Sequence, residues 1–193
     1  MGACSTDAQR VVNAATSAWQ AWSMVHGGPA AVAQTVPTAT AGGGLPRVYV
    51  DAGFHASDGM ATAGAAVLSS EGEFMACFNM RLPHCLSPLM AEALACKEAL
   101  SWLKDKGLLA VQLHTDCRNL QHHLTSQATR MRTYIGYIID GCRTILSSFN
   151  LCSVVYIPRL ENLMAHSLAS HAFTQTHTMY WDTIPPDFIA AYL

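Results

Sequence analysis

The order of elements legible in this sequence, β-β-β-α-β-α-α-β-α, predicts an α/β domain with one five-stranded mixed sheet and helices on both of its faces. Three observations lead there. Three β-type runs joined by short turns come first, as in an antiparallel meander. Later strands alternate with helix-period segments, which is how parallel strands are connected. Two strands also end on an aspartate, Asp51 and Asp116, and strand ends in such sheets form crevices where ligands bind.

Residues 1–46 read as an extension. Ala8–Val25 has Val11, Val12, Ala15, Ala18, Trp19 and Trp22 spaced for one apolar helix side. Gly27–Pro46 then reads as linker, broken at Gly27-Gly28-Pro29, Pro37 and Gly42-Gly43-Gly44. The domain proper spans 47–176. Its first strand is Arg47–Phe54, in which Val48, Tyr49, Val50 and Phe54 suit a strand and Asp51 does not. His55–Ala63 reads as a loop, with Ser57-Asp58-Gly59 as turn chemistry. Gly64–Ser70 and Glu73–Leu82 are the next strands, joined at Glu71-Gly72. Ser87 and Pro88 start a long helix as N-cap and first helical residue, and Gly107 stops it. Ala110–Asp116 is strand four, Cys117–Gln127 and Arg130–Phe149 are helices, Leu151–Pro158 is strand five, and Glu161–Thr176 is the last helix. The tail, 177–193, is expected to pack on the surface as irregular chain or a short helix.

Composition narrows the function. Only 12% of the 193 residues are charged and the net charge is −2, so no overall basic field advertises a nucleic-acid partner. Lys97, Lys104, Lys106, Arg118, Arg130, Arg132 and Arg143 are dispersed, with Arg130-Met131-Arg132 the densest patch. The seven cysteines are odd in number, form no C-x-x-C pair and lie largely in apolar patterns. That pattern points to a reducing intracellular compartment, cytoplasmic or nuclear, and not to a disulfide framework. No run approaches a membrane span. Met1-Gly2-Ala3-Cys4-Ser5-Thr6 matches the pattern for myristoylation at Gly2, without basic support.

The carboxylates carry the chemistry. On the long helix Glu98 sits among Lys97, Ser101 and Lys104, where a surface acid belongs. Glu92 instead falls inside the apolar arc, between Ala99 and Leu103. A Glu so placed needs a partner. The helix N-terminus supplies only about 0.3–1 kcal/mol, which leaves either a cation or an ion pair with Arg81 or Arg159. Asp116, before a helix, is either an N-cap or a member of the same cluster. His166 lies at the edge of the apolar face made by Ala165, Leu168, Ala169 and Ala172.

Four blocks then stand in order: Val50-Asp51-Ala52-Gly53, Ala91-Glu92-Ala93-Leu94-Ala95, Thr115-Asp116-Cys117, and Pro158-Arg159-Leu160-Glu161-Asn162 with Ala165-His166-Ser167-Leu168-Ala169. Together they resemble the signature of the ribonuclease H family, in particular its plant branch of reverse-transcriptase-like domains. The resemblance covers roughly 47–193. It implies a ribonuclease H-like fold and hydrolysis of the RNA strand of RNA–DNA hybrids by a two-metal mechanism. It also implies a catalytic site in which Asp51, Glu92, Asp116 and His166 hold Mg²⁺, with Mn²⁺ as a substitute. The partner implied is the hybrid itself; the chain is expected to act as a monomer. The other implication is a ribonuclease H-like module that is weak or inactive and binds nucleic acid or protein. Many active members carry Asp where this chain has His166. A hard cation prefers oxygen, and the loss of one negative charge should weaken the second metal; the other reading of His166 is a partly buried histidine hydrogen-bonded to Asn162 or backbone.

Overall fold

The computed structural model of the protein describes residues 44–126 and 133–193. The Ala8–Val25 helix, most of the linker, the Gly2 pattern and the Arg130–Arg132 patch lie outside the described residues. Strands β1 (Arg47–Phe54), β2 (Ala61–Leu68) and β3 (Phe74–Leu82) form the antiparallel meander. Helix α1 (Pro88–Asp105) leads to β4 (Ala110–Thr115), which pairs parallel with β1. Helices α2 (Arg118–Thr125) and α3 (Tyr134–Leu146) lead to β5 (Leu151–Tyr156), parallel to β4. A 3-10 turn at Arg159–Glu161 opens into α4 (Leu163–Ala172).

The sheet has six strands, in the order β5-β4-β1-β2-β3-β6, and not the expected five. The sixth, β6 (Met179–Trp181), comes from the tail and pairs antiparallel with Cys77–Asn79 of β3. Without it, β3 would be an edge strand with a row of unsatisfied backbone groups. Three residues are too short a run to announce a strand by alternation. The rest of the tail forms a 3-10 helix, Asp187–Tyr192, which buries Ile189.

Helix α1 begins and ends as its residues require. Ser87 Oγ accepts from the Met90 N–H at 3.2 Å, and Pro88 takes the first turn, where its missing donor costs nothing. At the far end Gly107 adopts φ +72°. Its N–H donates to the Lys104 carbonyl, and the Leu108 N–H donates to the Leu103 carbonyl, both at 2.9 Å, which closes a Schellman motif.

Period-2 alternation splits the sheet's side chains between two cores. Val48, Val50, Ala63, Ala65 and Val67 pack with α1, α2 and α3. Ala66, Leu68 and Cys77 pack on the other face with Met164 and Leu168 of α4 and with Ile189. Helices therefore cover both faces. Among the described residues no helix is long and apolar enough to cross a membrane.

Strand β2 starts at Ala61, three residues before the expected Gly64, and all eight of its residues are buried. Alanine and glycine signal strand weakly, but here small size is what the packing demands. A Cβ on Gly64 would lie 2.6 Å from the Ala165 carbonyl oxygen and would also meet the Ala169 nitrogen, so the α4 backbone rests directly on this glycine. Thr62 Oγ1 donates to the Ala169 carbonyl (2.8 Å) and Asn79 Nδ2 to the Leu168 carbonyl (3.0 Å), pinning the same turn. The last helix, Leu163–Ala172, is shorter than the expected Glu161–Thr176 at both ends: Arg159–Glu161 form a 3-10 turn before it, and the N–H groups of Phe173, Thr174 and Gln175 bond three residues back after it. Gly64→Ala should cost about 1–3 kcal/mol by overpacking. At about 2–4 °C per kcal/mol for a chain of this size, thermal unfolding followed by circular dichroism should show the loss.

Candidate metal centre

Register places the first two acids. Val50 of β1 pairs with Thr115 of β4 in parallel, so the next residues, Asp51 and Asp116, emerge side by side at one end of the sheet. Asp51 is fully buried. Asp116 follows the last residue of β4, where the Cys117 N–H donates to Thr115 Oγ1 at 3.1 Å. The side chain of Asp116 therefore leaves the α2 terminus uncapped, and the N-cap alternative for this residue does not hold.

Glu92 comes from the second turn of α1. One oxygen each from Asp51, Glu92 and Asp116 lie within 4.8 Å of one another. His166, from α4, joins them with Nδ1 at 2.8 Å from Asp51 Oδ2. The structure thus brings all four residues singled out in the sequence to one place. The ion-pair alternatives for Glu92 are spent elsewhere: Arg81 donates to the Phe173 carbonyl (2.7 Å), and Arg159 turns to Asp116 and His166.

Two residues of the site were not singled out as members of it. Asn162 is fully buried and donates from Nδ2 both to the Val50 carbonyl (3.0 Å) and to Asp116 Oδ1 (3.1 Å). It ties the two strand ends and the base of α4 together. Arg159 reaches Asp116 Oδ2 from Nη1 at 3.5 Å, and its Nη2 lies 3.1 and 3.3 Å from the two ring nitrogens of His166. Arg159 entered the sequence reading as a candidate ion-pair partner of Glu92, and Asn162 through its place in the Pro158–Asn162 block and as a candidate partner of His166.

The electrostatics are those of an under-compensated cluster. Three carboxylates this close repel by about 3 kcal/mol per pair at an effective dielectric constant of about 20. Burial raises the Asp51 carboxyl above its ordinary 3.8, and the Asp116 charge adds to the rise, while His166 and Arg159 oppose it. Burial lifts Glu92 well above its ordinary 4.5, with further lift from Asp51 and Asp116 and some relief from Arg159. Asp51 Oδ1 and Glu92 Oε2 are buried with no hydrogen-bond partner. Paired oxygen donors, clustered and left unsatisfied, fit a hard divalent cation of the Mg²⁺ type. Cys117, next to Asp116, offers no thiolate: burial, with help from Glu92, pushes it up to about 11.

The sign of the pH dependence follows. Raised carboxyl values mean that the folded state holds these protons longer than the unfolded one. The contribution of these two groups to folding, in the absence of cations, is therefore greatest below about 4. It is lost as pH rises from the ordinary values of 3.8 and 4.5 through the raised ones. Glu92→Gln should remove part of that loss. In EDTA at neutral pH it should unfold a few degrees above wild type, and at pH 4 the difference should shrink. Melting curves at the two pH values check this.

A family model described as reverse transcriptase-like matches residues 49–172. Among solved structures, RNase H1 from the halophilic archaeon Halobacterium salinarum NRC-1 is similar, with TM-score 0.63, 24% identity, and coverage of 68% of this chain and 98% of that one. An N-terminal RNase H domain from Mycobacterium tuberculosis gives 0.61, 16%, 68% and 95%. LC11-RNase H1, solved in complex with an RNA/DNA hybrid, gives 0.61, 18%, 67% and 96%. No curated protein matches significantly. These structural likenesses establish the α/β ribonuclease H-like architecture.

Proposed function

Because the chain belongs to the reverse transcriptase-like family and has a ribonuclease H-like fold, we propose that it is a metal-dependent endoribonuclease that hydrolyses the RNA strand of RNA–DNA hybrids. The observation that carries this reading is the convergence of Asp51, Glu92 and Asp116 within 4.8 Å, with buried oxygens left unpartnered. Support also comes from a neighbour of the same fold solved with an RNA/DNA hybrid.

In this reading Asp51, Glu92, Asp116 and His166 hold two divalent cations, Mg²⁺ or Mn²⁺. Bound there, such ions supply a polarised water and charge stabilisation for the leaving 3′ oxygen. The protein's own part is placement. Asn162 fixes one oxygen of Asp116, and the other, Oδ2, faces only the long contact from Arg159. His166 holds one oxygen of Asp51, so that Oδ1 stays directed at the shared space. Asp51 lies within β1, Asp116 directly follows β4 and Glu92 sits on α1, elements stiff enough to keep their oxygens in place against mutual repulsion. Preference for RNA comes from reading the 2′-OH and the shape of the hybrid, and no base sequence is read.

The test is cleavage of a labelled RNA–DNA hybrid with Mg²⁺ or Mn²⁺. Wild type should cut only the RNA strand and should stop in EDTA. Asp51→Asn should lose about 10²-fold or more, the scale on which one essential charged group in a site counts. A wild type that never cleaves with either metal, at any protein concentration, sinks the enzyme reading.

A further inference from the structure

We propose that Arg159 is a tethered counter-cation of the acidic site, which a divalent ion must displace from Asp116 and His166 before the outer half of the site fills. This rests on reading the acids as a cation site and adds an internal competitor to it.

The donor atoms fall into two sets. Asp51 Oδ1 and Glu92 Oε2 are buried and have no partner, so the inner half stands open. The outer half is Asp116 Oδ2 and the His166 ring, and a single guanidinium faces both. Its hold is loose. The bond to Asp116 is long, at 3.5 Å, where a well-made charge-assisted bond is about 2.7–2.9 Å. Contact of one Nη2 with both ring nitrogens, at 3.1 and 3.3 Å, is not two hydrogen bonds, because the in-plane directions of those nitrogens diverge. His166 Nδ1, moreover, already lies 2.8 Å from Asp51 Oδ2. If it donates its proton there, it has no lone pair for arginine.

The guanidinium is thus placed by the charge of the site and not by a fitted socket. The Arg159 side chain is 60% exposed, so its path to solvent is open. It stems from the 3-10 turn just before Asn162, and it can leave while Asn162 keeps its bonds to Val50 and Asp116. A guanidinium and a divalent ion at the same oxygen repel each other. By linkage each must weaken the binding of the other.

The experiment is a Mn²⁺ titration of the full chain, read by the paramagnetic resonance of free Mn²⁺, for wild type, Arg159→Gln and Arg159→Lys. Thermal unfolding in EDTA is measured alongside. Arg159→Gln should tighten the weaker Mn²⁺ event about three- to tenfold, the range set by loss of one partly exposed charge, and should melt lower than wild type in EDTA. Arg159→Lys keeps the charge but reaches only one partner, so it should shift affinity the same way by a smaller factor. Unchanged or weaker Mn²⁺ binding by a folded Arg159→Gln overturns the proposal. If that variant fails to fold, the same result from Arg159→Lys overturns it. If wild type binds no Mn²⁺ and Asp51→Asn titrates identically, the cation site itself falls, and this proposal with it.

Discussion

Mutual repulsion of three carboxylates, two where the β1–β4 ladder ends and one on α1, is the constraint on which the rest of this structure depends. Asp51, Glu92 and Asp116 bring oxygens within 4.8 Å of each other, at a cost of about 3 kcal/mol per ionised pair. That is a large fraction of the roughly 5–15 kcal/mol by which a domain is stable. Such a cluster persists only if stiff elements hold it and nearby groups offset its charge. The parallel β1–β4 register supplies the first condition, since two strands cannot splay apart without breaking their ladder. The α4 region supplies the second, through His166 on Asp51, Asn162 on Asp116, and Arg159 across the mouth.

Helix α4 can do this only because β2 is made of small residues. With its backbone seated on Gly64 and pinned by Thr62 and Asn79, the helix comes close enough for His166 to reach a fully buried carboxylate. The tail holds it from the other side. Ile189 packs with Met164 and Leu168, the Phe188 ring stacks on His171 at 3.7 Å, and Ser167 Oγ donates to the Phe188 carbonyl at 3.3 Å. Strand β6 anchors that tail to β3, and Asp182 ties it to Lys106 past the end of α1. A chain of contacts thus runs from the sixth strand through α4 to Asp51. Residues far from the acids in sequence help set the position of their counter-charge.

Much of this was legible before the fold was known. An aspartate at the end of a β-type run is out of character, and a glutamate inside an apolar helical arc is more so. Those two anomalies located the site, and the strand-helix order located it at one end of the sheet. What escaped was of three kinds. Small residues hid the start of β2, because Ala61-Thr62-Ala63 says little about strand until one knows that a helix must touch this run. The tail strand was hidden by its length, since three residues cannot show a period. The roles of Asn162 and Arg159 were hidden by their types: a lone asparagine carries no sign of burial, and an arginine within reach of one acid carries no sign of which acid it meets. Only tertiary placement distinguishes a buried bridge from a turn residue, or a counter-ion from a solvated side chain.

The same charge balance bears on how a polyanion would approach. With 12% charged residues and net −2, the chain has no long-range field to draw a nucleic acid in. The described cations at this end of the sheet are engaged locally. Arg118 lies over the Tyr156 ring, 4.3 Å from its centroid, and Arg159 is turned inward to the acids. A bare site of three carboxylates would then repel phosphate. Cations bound among the acids reverse that sign, and displacement of Arg159 would turn one more positive charge outward in the same event. In such an arrangement the ions that serve the chemistry also prepare the surface for the substrate. On the proposed function, affinity for nucleic acid would be conditional on metal, with few phosphate contacts and hence a shallow dependence on salt. If the chain cleaves hybrids as proposed, that economy would place positive potential only where the scissile phosphate must go.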